Sequence, residues 1–73
     1  MTDKLPILSG KEVVKVLKKL GYMINDQKGS HIHLRHPVRR PLTVPNHPEI
    51  ARGTLRTIIR DADLTVEKFL ELL

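Results

Sequence analysis

One stretch of the sequence decides the fold, because polar and apolar side chains alternate along it without a break: Ser30-His31-Ile32-His33-Leu34-Arg35. Alternation with a period of two is typical of a strand that buries one face. We therefore predict a strand over these residues whose Ile32 and Leu34 face the core. His31, His33 and Arg35 would then share the opposite face.

Turn and strand signals on both sides of this stretch complete a sheet of three strands. Residues 27–29 (Gln-Lys-Gly) predict a turn, since Gly29 can adopt a positive φ, and residues 22–26 before it are prone to form a strand. Pro37 ends the central strand, and a third strand is predicted within residues 39–45. The prolines of this third segment indicate a short strand or an edge position.

Helical patterns lie on both sides of the sheet in the sequence. Residues 9–12 (Ser-Gly-Lys-Glu) form a capping-box pattern, and apolar spacing predicts a first helix over about residues 10–20 that ends at Gly21. A second helix is predicted over residues 53–63, and Thr65 can cap a short last helix. The expected fold is α+β: a helix, a three-stranded antiparallel sheet, a helix and a short C-terminal helix. The helices would cover one face of the sheet and leave the other free.

Length, composition and charge limit the possible functions. The 73 residues predict a single domain over residues 1–73, and the absence of cysteine excludes disulfides and thiolate metal sites. Neither a membrane span of about 20 apolar residues nor a signal peptide is evident, so a cytoplasmic protein is expected. Residues 1–40 carry nine basic and three acidic side chains, and the whole chain has a net charge of +5. This excess favours a polyanionic partner, although solubility alone explains it equally well.

Three of the four histidines are crowded between residues 31 and 36, and several roles are open to them. His31 and His33 could bind a metal, but the strand holds no nearby carboxylate to complete the site, and Arg35 would repel a cation. Alternatively, His31 could transfer a proton during RNA cleavage, in which the 2′-hydroxyl attacks the adjacent phosphorus. Surface histidines without a chemical role are the third possibility.

Residues around the central strand could bind the RNA backbone. Lys28, Arg35 and Arg39 offer positive charge, Gly29 permits close backbone approach, and Ser30 offers a hydroxyl. These five residues, together with His33, are the predicted RNA contacts.

A second proton-transfer group has two candidates, His33 and His36, and His36 is favoured as structural because it lies at the end of the strand. His47 is expected to organise the loop before the second helix. The aromatic residues Tyr22 and Phe69 are too few for a platform that stacks bases, and Phe69 is expected in the core.

The order and spacing of several motifs resemble those of the HicA family, also called YcfA-like: Leu5-Pro6-Ile7-Leu8-Ser9-Gly10-Lys11-Glu12-Val13, Leu20-Gly21-Tyr22, Lys28-Gly29-Ser30-His31, His36-Pro37, Leu42-Thr43-Val44-Pro45-Asn46-His47 and Gly53-Thr54-Leu55-Arg56-Thr57-Ile58-Ile59-Arg60. The resemblance covers nearly the whole chain. It implies a toxin of a toxin–antitoxin pair that has a double-stranded-RNA-binding-domain-like fold and acts as an mRNA interferase. It also implies that His31 is the essential residue and that a HicB-type antitoxin covers this surface.

With the resemblance added, the predicted function is cleavage of mRNA without a metal or other cofactor, with His31 as general base or general acid. The expected partners are mRNA and a HicB-type antitoxin, and a free monomer would form a hetero-oligomer with the antitoxin. Two alternatives remain: a non-catalytic RNA-binding module, and a protein-interaction domain that needs its partner mainly for stability.

Overall fold

The computed structural model describes residues 5–73, and its elements follow in the order α1 (Gly10–Lys19), β1 (Met23–Lys28), β2 (His31–Arg35), β3 (Leu42–Pro45), α2 (Arg52–Asp61) and α3 (Val66–Glu71). The three strands form one antiparallel sheet in the order β1-β2-β3. The α+β fold predicted from the sequence is confirmed, and β3 is both short and at an edge, as its prolines indicate.

The start and the end of α1 are both set by local sequence. The Ser9 amide donates to the Glu12 carboxylate at 2.8 Å and the Glu12 amide to the Ser9 hydroxyl at 3.1 Å, so the predicted capping box is formed. Gly21 has a φ of 109°. The amides of Gly21 and Tyr22 donate back to carbonyls of the last turn at 3.0 and 3.1 Å, which is the hydrogen-bond pattern of a Schellman motif.

The hydrophobic core lies between the helices and one face of the sheet. Each element except β1 contributes buried side chains to it, and all six residues of β1 are exposed. The alternation of β2 is confirmed, because Ile32 and Leu34 are buried while His31 and Arg35 are exposed. The largest fully buried side chains are Tyr22, Phe69, Leu17, Leu34, Leu55, Val13 and Val44.

The hairpin between β1 and β2 differs from the sequence prediction. β1 continues to Lys28, and a two-residue turn at Gly29 and Ser30 replaces the turn predicted at residues 27–29. Lys28 therefore pairs directly with His31. Gly29 has a φ of 59°, and a positive φ at the first of two loop residues is the pattern of a type II′ turn, which matches the twist of the strands. Ser30 lies in this turn and not in the strand.

The second helix is shifted relative to its predicted range of residues 53–63. It begins at Arg52 and ends at Asp61, because Asp63 adopts a left-handed conformation with a φ of 63° that no helix can continue. The predicted cap of the last helix is formed, since the Thr65 hydroxyl accepts a hydrogen bond from the Lys68 amide at 3.1 Å.

Candidate nucleic-acid interface

The face of the sheet that points away from the helices is called the outer sheet face. It carries alternate residues of β2 with their directly paired neighbours, because paired residues point to the same side of a sheet. These residues are His31, His33 and Arg35 on β2, Met23, Asp26 and Lys28 on β1, and Thr43 and Pro45 on β3. None of them is buried, so the predicted free face of the sheet is confirmed.

His31 lies at the end of this face that adjoins the hairpin turn. Its side chain is exposed, and its ring makes no hydrogen bond to the described part of the chain. Lys28 pairs with it on one side and Pro45 on the other. An imidazole in this position is accessible to a ligand and has a cation on the neighbouring strand.

The hairpin turn beside His31 is open on its outside. A Cβ atom added at Gly29 would meet no atom within 4 Å. The turn is anchored from behind, because the Asn46 amide donates to the Ser30 carbonyl at 2.6 Å. The backbone of the turn is therefore accessible, and Lys28, Gly29 and Ser30 lie next to His31 as the sequence predicted.

His33 lies two residues further along β2, between Asp26 on β1 and Thr43 on β3. Its side chain is half-buried, and its Nδ1 atom lies 3.4 Å from the Thr43 hydroxyl. Asp26 was not among the predicted site residues, because it lies on the strand beside the one that carries the histidines. The signal that could have found it is the hairpin register, since a two-residue turn at Gly29 and Ser30 places Asp26 opposite His33.

A cavity of about 450 Å³ opens beside His33 on the outer sheet face. It combines a carboxylate with a guanidinium group, a lysine and a hydroxyl, and its lining includes Asn25, Asp26, Lys28, His33, Arg35, Pro41 and Thr43. Arg35, a predicted RNA contact, thus lies on the same face as His31.

His36 has a different environment, in which both ring nitrogens are used within the fold. Its Nδ1 atom accepts hydrogen bonds from the amides of Val38 and Arg39, both at 3.0 Å. The Nε2 atom therefore carries the proton, which it donates to the Leu20 carbonyl at 3.0 Å. This arrangement leaves no nitrogen free for proton transfer and agrees with the structural role expected for His36.

Arg39 does not lie with the other predicted RNA contacts. Its Nη1 atom donates to the Ala62 carbonyl at 2.7 Å, and its guanidinium group is 4.0 Å from the Asp63 carboxylate. The side chain therefore binds the end of α2. The imidazole of His47 is exposed, and the His47 carbonyl accepts a hydrogen bond from the Gly10 amide at 2.9 Å, which ties its loop to the start of α1.

The metal-site alternative needed a third ligand beside His31 and His33. Asp26 lies opposite His33, yet among residues 5–73 no three histidine, aspartate or glutamate side chains are grouped closely enough to hold a metal ion. The helices within the same range are all too short or too polar to span a bilayer.

The chain is similar to known proteins in both sequence and fold. A family model described as the HicA toxin of bacterial toxin–antitoxin systems matches residues 10–64. A solved chain from a "Toxin-Antitoxin complex from Streptococcus pneumoniae" is similar to this one, with 36% sequence identity and a TM-score of 0.70. The alignment covers 78% of this chain and 98% of that chain. A comparison with curated proteins found no match.

Proposed function

Because the chain belongs to the HicA toxin family of bacterial toxin–antitoxin systems, we propose that it is an endoribonuclease that cleaves mRNA without a metal ion. The observation that carries the proposal is the position of His31: exposed, without a hydrogen-bond partner in the described part of the chain, and paired with Lys28. Imidazole exchanges protons near neutral pH, and the nearby cation attracts a phosphate.

In the proposed reaction, the 2′-oxygen of a ribose attacks the adjacent phosphorus while the bond from phosphorus to the 5′-oxygen breaks. His31 either accepts the proton of the 2′-hydroxyl or donates a proton to the leaving 5′-oxygen. Lys28 and the open turn at Gly29 and Ser30 hold the phosphate. The products are a 2′,3′-cyclic phosphate and a 5′-hydroxyl.

The second proton-transfer group of the proposal is His33. His36 is unsuited to this role because the fold uses both of its ring nitrogens. His33 is on the outer sheet face two residues from His31, which corresponds to about 7 Å along a strand. With the reacting phosphodiester between the two rings, one ring accepts the proton of the 2′-hydroxyl and the other donates a proton to the leaving 5′-oxygen.

The proposed protein partner is a HicB-type antitoxin that forms a hetero-oligomer with this chain and blocks access to His31. The similar solved chain comes from a toxin–antitoxin complex, and the outer sheet face carries Lys28 and Arg35. We expect the antitoxin to present acidic groups to this face, since complementary charge speeds association and fixes the orientation of the complex.

The test is cleavage of a labelled RNA in the presence of EDTA by the purified protein, by His31→Ala and by His47→Ala. His47 is a matched control, because it is an exposed histidine in a loop outside the sheet. We expect His31→Ala to lower the rate about 10²- to 10⁴-fold and His47→Ala to keep it. The products should end in 2′,3′-cyclic phosphate.

Undiminished cleavage by folded His31→Ala would overturn the proposal, as would metal-dependent products with 5′-phosphate ends. A non-catalytic RNA-binding module is the alternative. Salt-sensitive RNA binding without cleavage, equal in the protein and in His31→Ala, would favour it.

A further inference from the structure

The outer sheet face contains one carboxylate, Asp26, on a surface that otherwise carries cations and neutral groups. Asp26 is exposed and makes no hydrogen bond or ion pair with another described residue, so neither Lys28 nor Arg35 neutralises it by direct contact. A carboxylate repels phosphate. If RNA binds this face, Asp26 needs a partner other than the RNA backbone.

A β-bulge lies next to Asp26, on the side away from the hairpin turn. The register of the β1–β2 pair shifts between Ile24 and Asp26, with Asn25 as the additional residue. Bulges bend a strand and redirect its side chains, and they are frequent beside functional sites. Asp26 stays opposite His33 in the register that the two-residue turn sets, and both Asn25 and Asp26 line the cavity of about 450 Å³ beside His33.

The cavity is of a size that suits a nucleotide, because small-molecule sites measure about 300–1,000 Å³. Its polar groups combine an acceptor of two hydrogen bonds, the Asp26 carboxylate, with a multiple donor, the Arg35 guanidinium. Among the four bases of RNA, guanine offers two adjacent donors, N1–H and the N2 amino group, next to the acceptor O6. Adenine, cytosine and uracil do not offer two adjacent donors to one carboxylate.

We propose that this cavity is a binding subsite for guanine. Asp26 accepts hydrogen bonds from N1–H and the N2 amino group, and Arg35 donates to O6, an acceptor that arginine commonly recognises. The inference rests on the proposed function only for its consequence in RNA: a guanosine in this cavity places its neighbouring phosphate toward His33 and His31, so that cleavage occurs next to guanosine.

Nucleotide binding tests the inference without requiring cleavage. Amide chemical shifts of the ¹⁵N-labelled protein are followed during titration with GMP, with IMP, which lacks the 2-amino group, and with AMP. We expect GMP to bind about tenfold more tightly than AMP, with IMP between them, and to shift the amides around Asp26 and Arg35. Asp26→Asn should remove the preference, whereas Glu49→Gln, an equal change of charge on an exposed loop residue, should retain it.

The outcomes separate this inference from the nuclease proposal. A GMP preference that depends on Asp26 supports the subsite even if no RNA is cleaved. Equal shifts with GMP and AMP, shifts confined to other parts of the chain, or no guanosine-dependent shift at all would overturn it. If RNA is cleaved, mapped 5′ ends should lie next to guanosine for the protein and lose this bias for Asp26→Asn. Cleavage without any bias for guanosine would overturn the position of the subsite next to the cleaved bond.

Discussion

The imidazole of His36 lies against the phenol ring of Tyr22, with ring centroids 4.8 Å apart and ring planes inclined by 58°. Tyr22 is buried, and its hydroxyl donates to the Arg40 carbonyl at 2.8 Å. Since His36 also bonds the Leu20 carbonyl, this pair joins the end of α1 to the loop between β2 and β3. It lies at the opposite end of β2 from His31, which separates a structural histidine from the proposed catalytic one.

Replacing His36 should affect stability and leave RNA cleavage intact. We expect His36→Ala to lower the free energy of unfolding by about 2–3 kcal/mol, because three hydrogen bonds and the ring contact are lost. His36→Asn should lose less, since its side-chain oxygen can replace Nδ1 as acceptor. Urea denaturation followed by circular dichroism measures both losses. A stably folded His36→Asn without nuclease activity would contradict the structural assignment.

Two glycine substitutions should change stability in opposite directions. Gly21 has a φ of 109°, and a Cβ atom there would lie 2.9 Å from the His36 Nε2 atom, so Gly21→Ala should cost about 1–2 kcal/mol. Gly53 lies in α2, and a Cβ atom added there would meet no atom within 4 Å, so Gly53→Ala should stabilise the fold by about 0.5 kcal/mol. Thermal unfolding of both variants distinguishes these effects, and equal shifts in Tm would refute the explanation from backbone geometry.

The stability of the fold should depend on the ionisation of Tyr22 at alkaline pH. Burial raises the pKa of Tyr22 above its usual value, and the positive charges of Arg39 and Arg40 oppose this rise in part. The stabilisation by the neutral phenol is therefore complete below the unfolded-state pKa of about 10 and is lost as the pH rises through the higher folded-state pKa. Tyr22→Phe should be less stable than the unsubstituted protein by about 1 kcal/mol at neutral pH. Above about pH 10 it should lose less stability than the unsubstituted protein, because it has no phenol to ionise.

The titration of Tyr22 can be observed directly, because the chain contains one tyrosine and no tryptophan. The ultraviolet absorbance of tyrosinate then reports this residue alone. A titration curve of the folded protein identical to that of the urea-unfolded chain would contradict the predicted shift.

Lys28 and Arg39 should respond to substitution in different ways. Lys28→Ala should reduce the slope of log affinity against log salt for RNA binding by about 1, and it should change stability by less than about 0.5 kcal/mol, because Lys28 is exposed. Arg39→Ala should leave the slope unchanged and cost about 1–2 kcal/mol, because the hydrogen bond to the Ala62 carbonyl is lost. Fluorescence anisotropy with a labelled RNA gives the slopes. A reduced slope for Arg39→Ala would instead place Arg39 among the RNA contacts.

Local patterns in the sequence were sufficient to predict most of the fold. The period-two alternation of β2, the capping box of Ser9 and Glu12, and the cap at Thr65 each depend on residues a few positions apart. The same alternation placed His31 on an exposed face, because successive side chains of a strand point to opposite faces and the apolar ones occupy the buried face.

The remaining features depend on contacts that a local pattern cannot contain. β1 buries none of its residues, so no hydrophobic period marks its ends or its register. The contact of Arg39 with Ala62 joins residues 23 positions apart and holds the Arg39 side chain at the end of α2. Asp26 reaches His33 through a hairpin whose turn consists of Gly29 and Ser30 and not of the predicted residues 27–29.

The free edge of β1 also limits how the isolated protein can behave at high concentration. No strand among residues 5–73 pairs with its outer side, so a row of amide and carbonyl groups stays open to any extended chain that meets it. Met23 and Ile24 add apolar surface there, with 70% and 47% of their areas exposed. Copies that meet edge to edge would extend one sheet across molecules. Self-association would then limit the concentration of monomer in a cell, unless a second protein covered that edge.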